Sequence, residues 1–259
     1  MPDTIVVKIG GSTLGAYDTT LEDVVALQRR GLRPVVVHGG GALISEWLKL
    51  HDVPTRFERG LRVTDERTLE VVVAVLAGLV NKQLVAALTA AGGRTVGLSG
   101  ADGGLLKARQ LDEKLGFVGE VAEVDTRPLV DLLDDGFVPV LAPIAVEWRV
   151  RLRRTSGQLL NINADTAAGA VAAALAASRL VFLTDVPGIR DEGGETLPAL
   201  SPPRAEELSA AGVIDGGMIP KVEACLRAAA AGCRSVIADG RRAGALLAAI
   251  EEKTGTVVG

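Results

Sequence analysis

Short β-branched runs recur along this chain, and nearly every one is stopped by glycine and followed by a segment of helical periodicity. Thr4-Ile5-Val6-Val7-Lys8-Ile9 runs into Gly10-Gly11, and Pro34-Val35-Val36-Val37-His38 runs into Gly39-Gly40-Gly41. Strands without polar alternation leave no face for water, and strands separated by helices pair in parallel with the helices laid over both faces. The sequence therefore predicts an α/β chain, a three-layer α/β/α sandwich with a mainly parallel central sheet.

Punctuation places the other elements. Leu21, Val24, Val25 and Leu27 share a helical face that ends at Gly31, and a second helix spans 42–50. Asp65 is placed to cap a long helix reaching residue 91, with Glu66 and Glu70 near its positive end. Parallel strands are expected over 94–98 and 138–141, with a helix at 127–135 between them. Two hairpins, 105–111 with 117–124 and 148–153 with 158–162, interrupt the alternation. It resumes with helix 164–176, strand 180–183, helices 203–211 and 219–231, strand 235–238, helix 243–251 and a last strand at 256–258. No Pro/Ser-rich linker divides the chain. One domain over 1–259 is expected, with an N-terminal lobe over 1–150 and a C-terminal lobe over 151–259 that meet near Glu147 to Gln158.

Composition excludes more than it selects. A formal net charge of −4 gives the whole molecule no attraction to nucleic acid or an anionic membrane, and 3% aromatic residues offer little for bases to stack on. An anionic substrate would need a local positive cluster. Cys225 and Cys233 lack metal-site spacing and read as reduced, partly buried thiols. His38 and His51 are too few for a His-rich metal site, so no metal ligand is assigned. The longest nearly apolar stretch is taken as 164–175, too short to span a bilayer and interrupted by Asp165. No basic, apolar leader precedes the first strand, and a cytoplasmic location is expected.

Three glycine clusters, Gly10-Gly11, Gly39-Gly40-Gly41 and Gly216-Gly217, each follow a strand or open a helix. A tight strand-to-helix turn explains any one of them; three together favour backbone N–H groups offered to anions. Neither GxxxxGK[ST] nor GxGxxG opens a βαβ unit. Lys8 stands at the carboxyl end of the first strand, the edge where open α/β sheets bind ligands, although a strand-end lysine often only snorkels. Lys221 follows Pro220 in the first turn of a helix, where its charge opposes the helix dipole unless an anion lies nearby.

Asn161-Ile162-Asn163-Ala164-Asp165 runs from a strand end into a helix. Asn163 suits an N-cap and Asp165 a first turn, yet the same segment puts two amides and a carboxylate on the ligand edge, where a carboxylate could orient two lysines. Arg62 lies between Leu61 and Val63, and its guanidinium fork suits a carboxylate; three arginines in a loop, Arg56 and Arg59 included, are usually solvated. Thr184-Asp185-Val186-Pro187-Gly188-Ile189 is either an ordinary β-turn or a backbone platform for a base and ribose. No GxSxG, HExxH or convincing Cys/His pair occurs. Lysines, glycine N–H groups and one organising carboxylate remain. That inventory fits phosphoryl transfer, where positioning and charge neutralisation do most of the catalysis.

Taken in order, Val7-Lys8-Ile9-Gly10-Gly11-Ser12, Val37-His38-Gly39-Gly40-Gly41, Gly60-Leu61-Arg62-Val63-Thr64, Val80-Asn81-Lys82, Asn161 to Asp165, Thr184 to Gly188 and Gly217-Met218-Ile219-Pro220-Lys221 make the chain resemble the amino acid kinase family over nearly its whole length. The resemblance implies an N-terminal lobe that holds the acceptor and a C-terminal lobe that holds ATP with Mg2+. It implies Lys8 and Lys221 as catalytic groups on the transferring phosphoryl, with Asp165 organising both. Gly10 and Gly11 would serve the nucleotide phosphates, and Gly40 and Gly41 the acceptor. Arg62 and Asn161 would hold the acceptor's α-carboxylate and acetamido group. Thr184, Asp185, Val186, Pro187, Gly188, Ile189 and Arg190, with Val213, Ile214 and Asp215, would line the adenine and ribose pocket.

The resemblance requires no general base, because a carboxylate acceptor is already ionised at neutral pH. The Gly-Gly-Gly and Gly-Leu-Arg-Val-Thr phrases point within the family to N-acetyl-L-glutamate as acceptor, in arginine biosynthesis. A carrier-bound aminoadipate or glutamate, and a non-catalytic nucleotide or amino acid sensor, are the alternatives. An arginine-insensitive homodimer is implied as well, with the long helix over 65–91 as its interface. Glu147 to Gln158, with Arg149, Arg151, Arg153 and Arg154, is more basic and longer than that pattern, and a solvated edge strand is expected there.

Overall fold

The computed structural model describes residues 3–10, 19–149 and 152–259, which leaves Gly11, Ser12 and Arg151 of the sequence reading outside the described residues. The chain opens with β1 (Thr4–Ile9), α1 (Thr20–Arg29), β2 (Arg33–His38) and α2 (Gly41–Leu50). A two-stranded ribbon, β3 (Phe57–Glu58) and β4 (Leu61–Arg62), leads into one long helix made of α3 (Glu66–Val73), a π-helical segment (Ala74–Val80) and α4 (Asn81–Ala90). After it come β5 (Thr95–Ser99), β6 (Leu106–Gln110), β7 (Val118–Val124), α5 (Arg127–Asp134), β8 (Val138–Ala142), β9 (Ile144–Arg149) and β10 (Arg154–Ile162). The second half runs α6 (Ala164–Ala174), β11 (Arg179–Thr184), β12 (Ala199–Leu200), α7 (Pro202–Ala210), α8 (Ile219–Ala229), β13 (Arg234–Asp239), α9 (Ala245–Ile250) and β14 (Thr256–Val258).

Eight strands form the central sheet in the order β12-β14-β13-β11-β1-β2-β8-β5. Pairing is parallel from β13 through to β5, while β14 runs antiparallel to β13. Strand residues alternate between two cores. Val6, Val35, Val37 and Phe182 belong to one face, and Ile5, Val7, Ile9, Val36 and Val181 to the other. The α/β sandwich with a mainly parallel sheet is thus the observed architecture. β1 sits in its middle, between β11 and β2, so the carboxyl end of β1 opens where chain connections leave in opposite directions, the usual ligand crevice of such sheets.

Three features depart from the sequence reading. The two hairpins are joined: β6 pairs in parallel with β9, β10 pairs in parallel with β7, and the four strands close a small barrel. β9 accordingly begins at Ile144, ahead of the expected 148, because its early residues pair with β6 and β10. Secondly, the ribbon β3–β4 and the edge strand β12 are two residues each, too short for periodicity to register. Thirdly, the longest apolar helix is Glu66–Ala90, 25 residues, and by length and composition alone it could cross a bilayer, unlike the 164–175 stretch. Its buried face packs on α1, α2, β5 and β8. Asp65 caps it as expected, accepting from the Thr68 N–H at 2.8 Å. Cys225 and Cys233 are free and fully buried, deeper than the sequence suggests.

Candidate active site

Two lysines far apart in sequence converge on one carboxylate. Lys8 Nζ lies 2.8 Å from Asp165 Oδ1, an ion pair without the alignment of a hydrogen bond, and Lys221 Nζ donates to Asp165 Oδ2 at 3.0 Å. All three side chains are largely withdrawn from solvent, which strengthens each charge. Each is delivered by a strand or helix end. Lys8 rides the carboxyl end of β1; Asp165 is in the first turn of α6, whose N-cap Asn163 accepts from the N–H groups of Asp165 and Thr166 at 2.9 and 3.1 Å.

Lys221 follows Pro220 in the first turn of α8. Its conflict with the α8 dipole is relieved by Asp165 itself and by the Gly217 carbonyl, which accepts from Nζ at 3.0 Å. What brings α6 and α8 this close is Gly169: a Cβ there would lie 2.8 Å from the Ala224 Cα. Gly169 and Ala224 sit one turn down from Asp165 and Lys221, so the close helix contact sets the distance between those two charges.

On one side of Asp165 is a cavity of about 230 Å³ that Lys8, Gly39, Gly40, Gly41, Arg62 and Asn161 help to line. Gly40 caps α2, and Ile44 is the first residue whose N–H bonds back, to the Gly40 carbonyl at 2.9 Å. The N–H groups of Gly41, Ala42 and Leu43 are therefore without intrahelical partners, in the manner of an anion site. Arg62 is buried, and burial pulls its pKa below the ordinary guanidinium value. Its Nη2 donates to the Gly41 carbonyl at 3.0 Å and to Ser45 Oγ at 2.9 Å, while its carbon centre lies 4.7 Å above the Phe57 ring. Its Nη1 is buried with no partner among the described residues. A buried, unpaired guanidinium N–H costs on the order of 1–3 kcal/mol. Asn161 Nδ2 donates to Thr64 Oγ1 at 3.1 Å, and Thr64 Oγ1 donates to the Arg62 carbonyl at 2.8 Å, so the arginine and the amide are tied together.

On the other side a second cavity, of about 430 Å³, is lined in part by Gly216, Gly217, Ile219, Pro220 and Lys221 and reaches Leu111 and Glu120 across the cleft. Asp165 lines both cavities. The residues expected around adenine and ribose line neither of them. Thr184 ends β11, with Asp185 and Arg190 exposed and Val186 and Pro187 half-buried. A Cβ on Gly188 would meet Thr256 Oγ1 at 2.4 Å, and the Ile189 N–H donates to that oxygen at 2.8 Å. Ile189 and Ile214 are both buried in one core cluster, Val213 packs against it, and Asp215 is exposed. Ile189 and Ile214 can therefore offer a ligand only backbone atoms. The Gly10 N–H is directed to the Leu183 carbonyl at 3.3 Å.

The lysine–aspartate–lysine cluster lies on the crevice of the parallel sheet, within the span of a family match. The model of the amino acid kinase family matches residues 3–239. The chain belongs to the amino acid kinase family. Among its relatives, an acetylglutamate kinase of Dehalococcoides mccartyi is 45% identical over 92% of this chain and 87% of its own. One from Gloeobacter violaceus is 46% identical over 94% of this chain and 82% of its own. Among solved structures, smu.665 from Streptococcus mutans superposes with a TM-score of 0.85 at 31% identity, covering 100% of this chain and 99% of that one.

Sequence reasoning did not find Ser45, Phe57 or Leu76, although each touches Arg62 or lines the first cavity. Ser45 follows Gly41 by one helical turn, a spacing that could have pointed to it; Phe57 and Leu76 carry no local signal. The basic segment is in part a paired strand, with Arg154 opposite Arg149 across the β9–β10 hairpin and Arg149 beside Glu147 at 3.2 Å.

Proposed function

We propose that this amino acid kinase transfers the γ-phosphoryl of ATP to the side-chain carboxylate of N-acetyl-L-glutamate, with the first cavity as the acceptor site. The observation that carries the reading is the pairing of Lys8 and Lys221 on the two oxygens of Asp165, next to a cavity that Arg62 helps to line. Relatives about 45% identical over most of their length and named acetylglutamate kinase support the acceptor.

In the proposed reaction an oxygen of the ionised acceptor carboxylate attacks the γ-phosphorus. The new C(O)O–P bond forms as the bond from that phosphorus to the bridging oxygen breaks, and ADP leaves with the electron pair. No proton moves, because the nucleophile is already a carboxylate. Lys8 and Lys221 neutralise charge on the transferring group and the leaving oxygen, and Asp165 keeps both ammonium groups in place. Arg62 and Asn161 hold the acceptor's α-carboxylate and acetamido group, and the α2 N-terminus at Gly40 and Gly41 faces the reacting carboxylate. The 184–190 and 213–215 segments present backbone to the base and ribose. Magnesium would be held by the nucleotide's own phosphates and would help to neutralise the charge on them.

We assign the lobes meeting at this cleft to 1–150 for the acceptor and 151–259 for the nucleotide, and a homodimer to the long helix, where Ala74, Gly78, Ala86 and Ala90 are exposed. A phosphoryl-transfer assay across N-acetyl-L-glutamate, glutamate, aspartate and carbamate tests the acceptor. Turnover of N-acetyl-L-glutamate should exceed that of the others by orders of magnitude. Preference for any other acceptor rejects the reading.

A further inference from the structure

The buried stripe of the long helix breaks step inside its π-helical segment. Leu69, Val72 and Leu76 are buried at spacings of three and four, and so are Asn81, Leu84 and Leu88; between Leu76 and Asn81 the spacing is five. An uninterrupted α-helix would bring residue 79 or 80 to that face. The wider π turn takes up one extra residue and rotates Asn81 inward instead, a device that recurs at functional sites.

Asn81 is a fully buried amide, and it is satisfied on every side. Its Nδ2 lies 2.8 Å from the Val140 carbonyl, 3.4 Å from the Leu98 carbonyl and 3.2 Å from His38 Nε2. Its Oδ1 accepts from Lys82 Nζ at 2.9 Å, and Lys82 also donates to the Gly97 carbonyl at 3.1 Å. An amide nitrogen donates to Nε2 only when that nitrogen carries no proton, so the imidazole proton belongs on Nδ1, 3.0 Å from the Gly39 carbonyl. His38 ends β2 and leads directly into Gly39-Gly40-Gly41. The π-helical segment also supports that loop from below: a Cβ on Gly40 would lie 2.7 Å from Leu76 Cδ2 and 3.4 Å from Val80 Cγ2. Leu76 in turn lines the acceptor cavity.

We propose that His38 and Asn81 are positioning residues for the phosphoryl acceptor, with the π-helical segment turning Asn81 onto His38 and His38 holding the Gly39-Gly40-Gly41 backbone against the acceptor cavity. The proposal rests on the acceptor reading above; the assignment of the imidazole proton does not. Burial lowers the His38 pKa to about 4, opposed by the Gly39 carbonyl and helped by the Lys82 ammonium, the charged group that faces it among the described residues. Ile9 beside it on β1 and Asn81 on α4 are uncharged. With its pKa lowered in this way the imidazole is neutral near pH 7, the form in which the chain of bonds holds.

Three measurements on the full chain test this. His38→Ala and Asn81→Ala should raise KM for N-acetyl-L-glutamate by about tenfold or more while KM for ATP stays within about twofold. Asn81→Asp, isosteric with the native side chain and checked for an intact fold by circular dichroism, sets a carboxylate oxygen against His38 Nε2 and the Val140 and Leu98 carbonyls. A neutral imidazole meets that oxygen only by moving its proton to Nε2 and giving up the Gly39 carbonyl, whereas a protonated one serves both. Its acceptor kcat/KM relative to wild type should therefore recover about fivefold or more from pH ~8 to pH ~6. A ratio independent of pH, or equal rises in both KM values, overturns the proposal, since a merely structural role predicts those. Finally, 15N NMR of the wild-type chain, which has only two histidines, should show one ring protonated at Nδ1 and untitrated near the ordinary histidine value. A ring at position 38 that titrates there, or is protonated at Nε2, overturns the linkage whichever acceptor the enzyme uses. Failure to turn over N-acetyl-L-glutamate rejects the functional reading and leaves the NMR result to decide the linkage.

Discussion

The two sides of Asp165 are built on different principles. On the proposed acceptor side, side chains make the site. Arg62, Thr64, Asn81 and His38 are all buried, each held by at least one hydrogen bond. On the proposed nucleotide side, the polar side chains Asp185, Arg190 and Asp215 are exposed, while Ile189 and Ile214 anchor the loops in the core. Buried polar side chains fix one geometry and penalise any change, whereas backbone hung from apolar anchors tolerates side-chain replacement. The difference suits an acceptor that must be chosen by its carboxylates and a nucleotide recognised mainly by the chain's N–H and C=O groups.

The contrast breaks most visibly at its boundary. Lys8→Ala or Lys221→Ala should lower kcat by about 100- to 1000-fold, as expected on removing a preorganised charge, with KM values moving far less. Unchanged kcat in both variants would falsify the shared role of the three residues. Arg62→Lys should next raise the acceptor KM by about 10- to 100-fold and leave the ATP KM alone, because an ammonium cannot reproduce the fork that spans Gly41, Ser45 and the cavity.

The buried acceptor side should also sense acid. The folded-state pKa of His38 lies at about 4, below the ordinary 6.5, so its contribution to stability is complete above pH 6.5 and is lost as pH falls toward about 4. Urea unfolding across that window should lose up to roughly 3 kcal/mol that His38→Gln does not lose. A smaller structural effect belongs to Gly169→Ala. Its methyl would press on the Ala224 backbone, parting α6 from α8, at a cost of about 1–3 kcal/mol measured by thermal unfolding. The smallest effect is on the exposed side: Asp185→Ala should change the ATP KM by no more than about fivefold. A far larger change there, measured by initial rates, would erase the contrast between the two sides.

Much of the molecule could be read from residues alone. Apolar runs stopped by glycine gave the ends of β1 and β2, Asn163 gave the start of α6, and Asp65 the start of the long helix, because caps and periodicity act over a few residues. Lys8, Asp165 and Lys221 were legible as candidates for the same reason: each stands at a strand or helix end marked by its neighbours.

Distances between distant segments were not legible. Closure of the β6–β7–β9–β10 barrel depends on parallel pairings between separate hairpins, and the contact of Gly169 with Ala224 depends on how two helices cross. The five-residue step that turns Asn81 inward depends on carbonyls of β5 and β8 waiting to receive its amide. Sequence by itself determined which groups stand at the ends of elements, since short-range sterics and hydrogen bonding decide that. Only the tertiary structure decided which ends meet, since burial and the satisfaction of buried polar groups are properties of the whole packed chain.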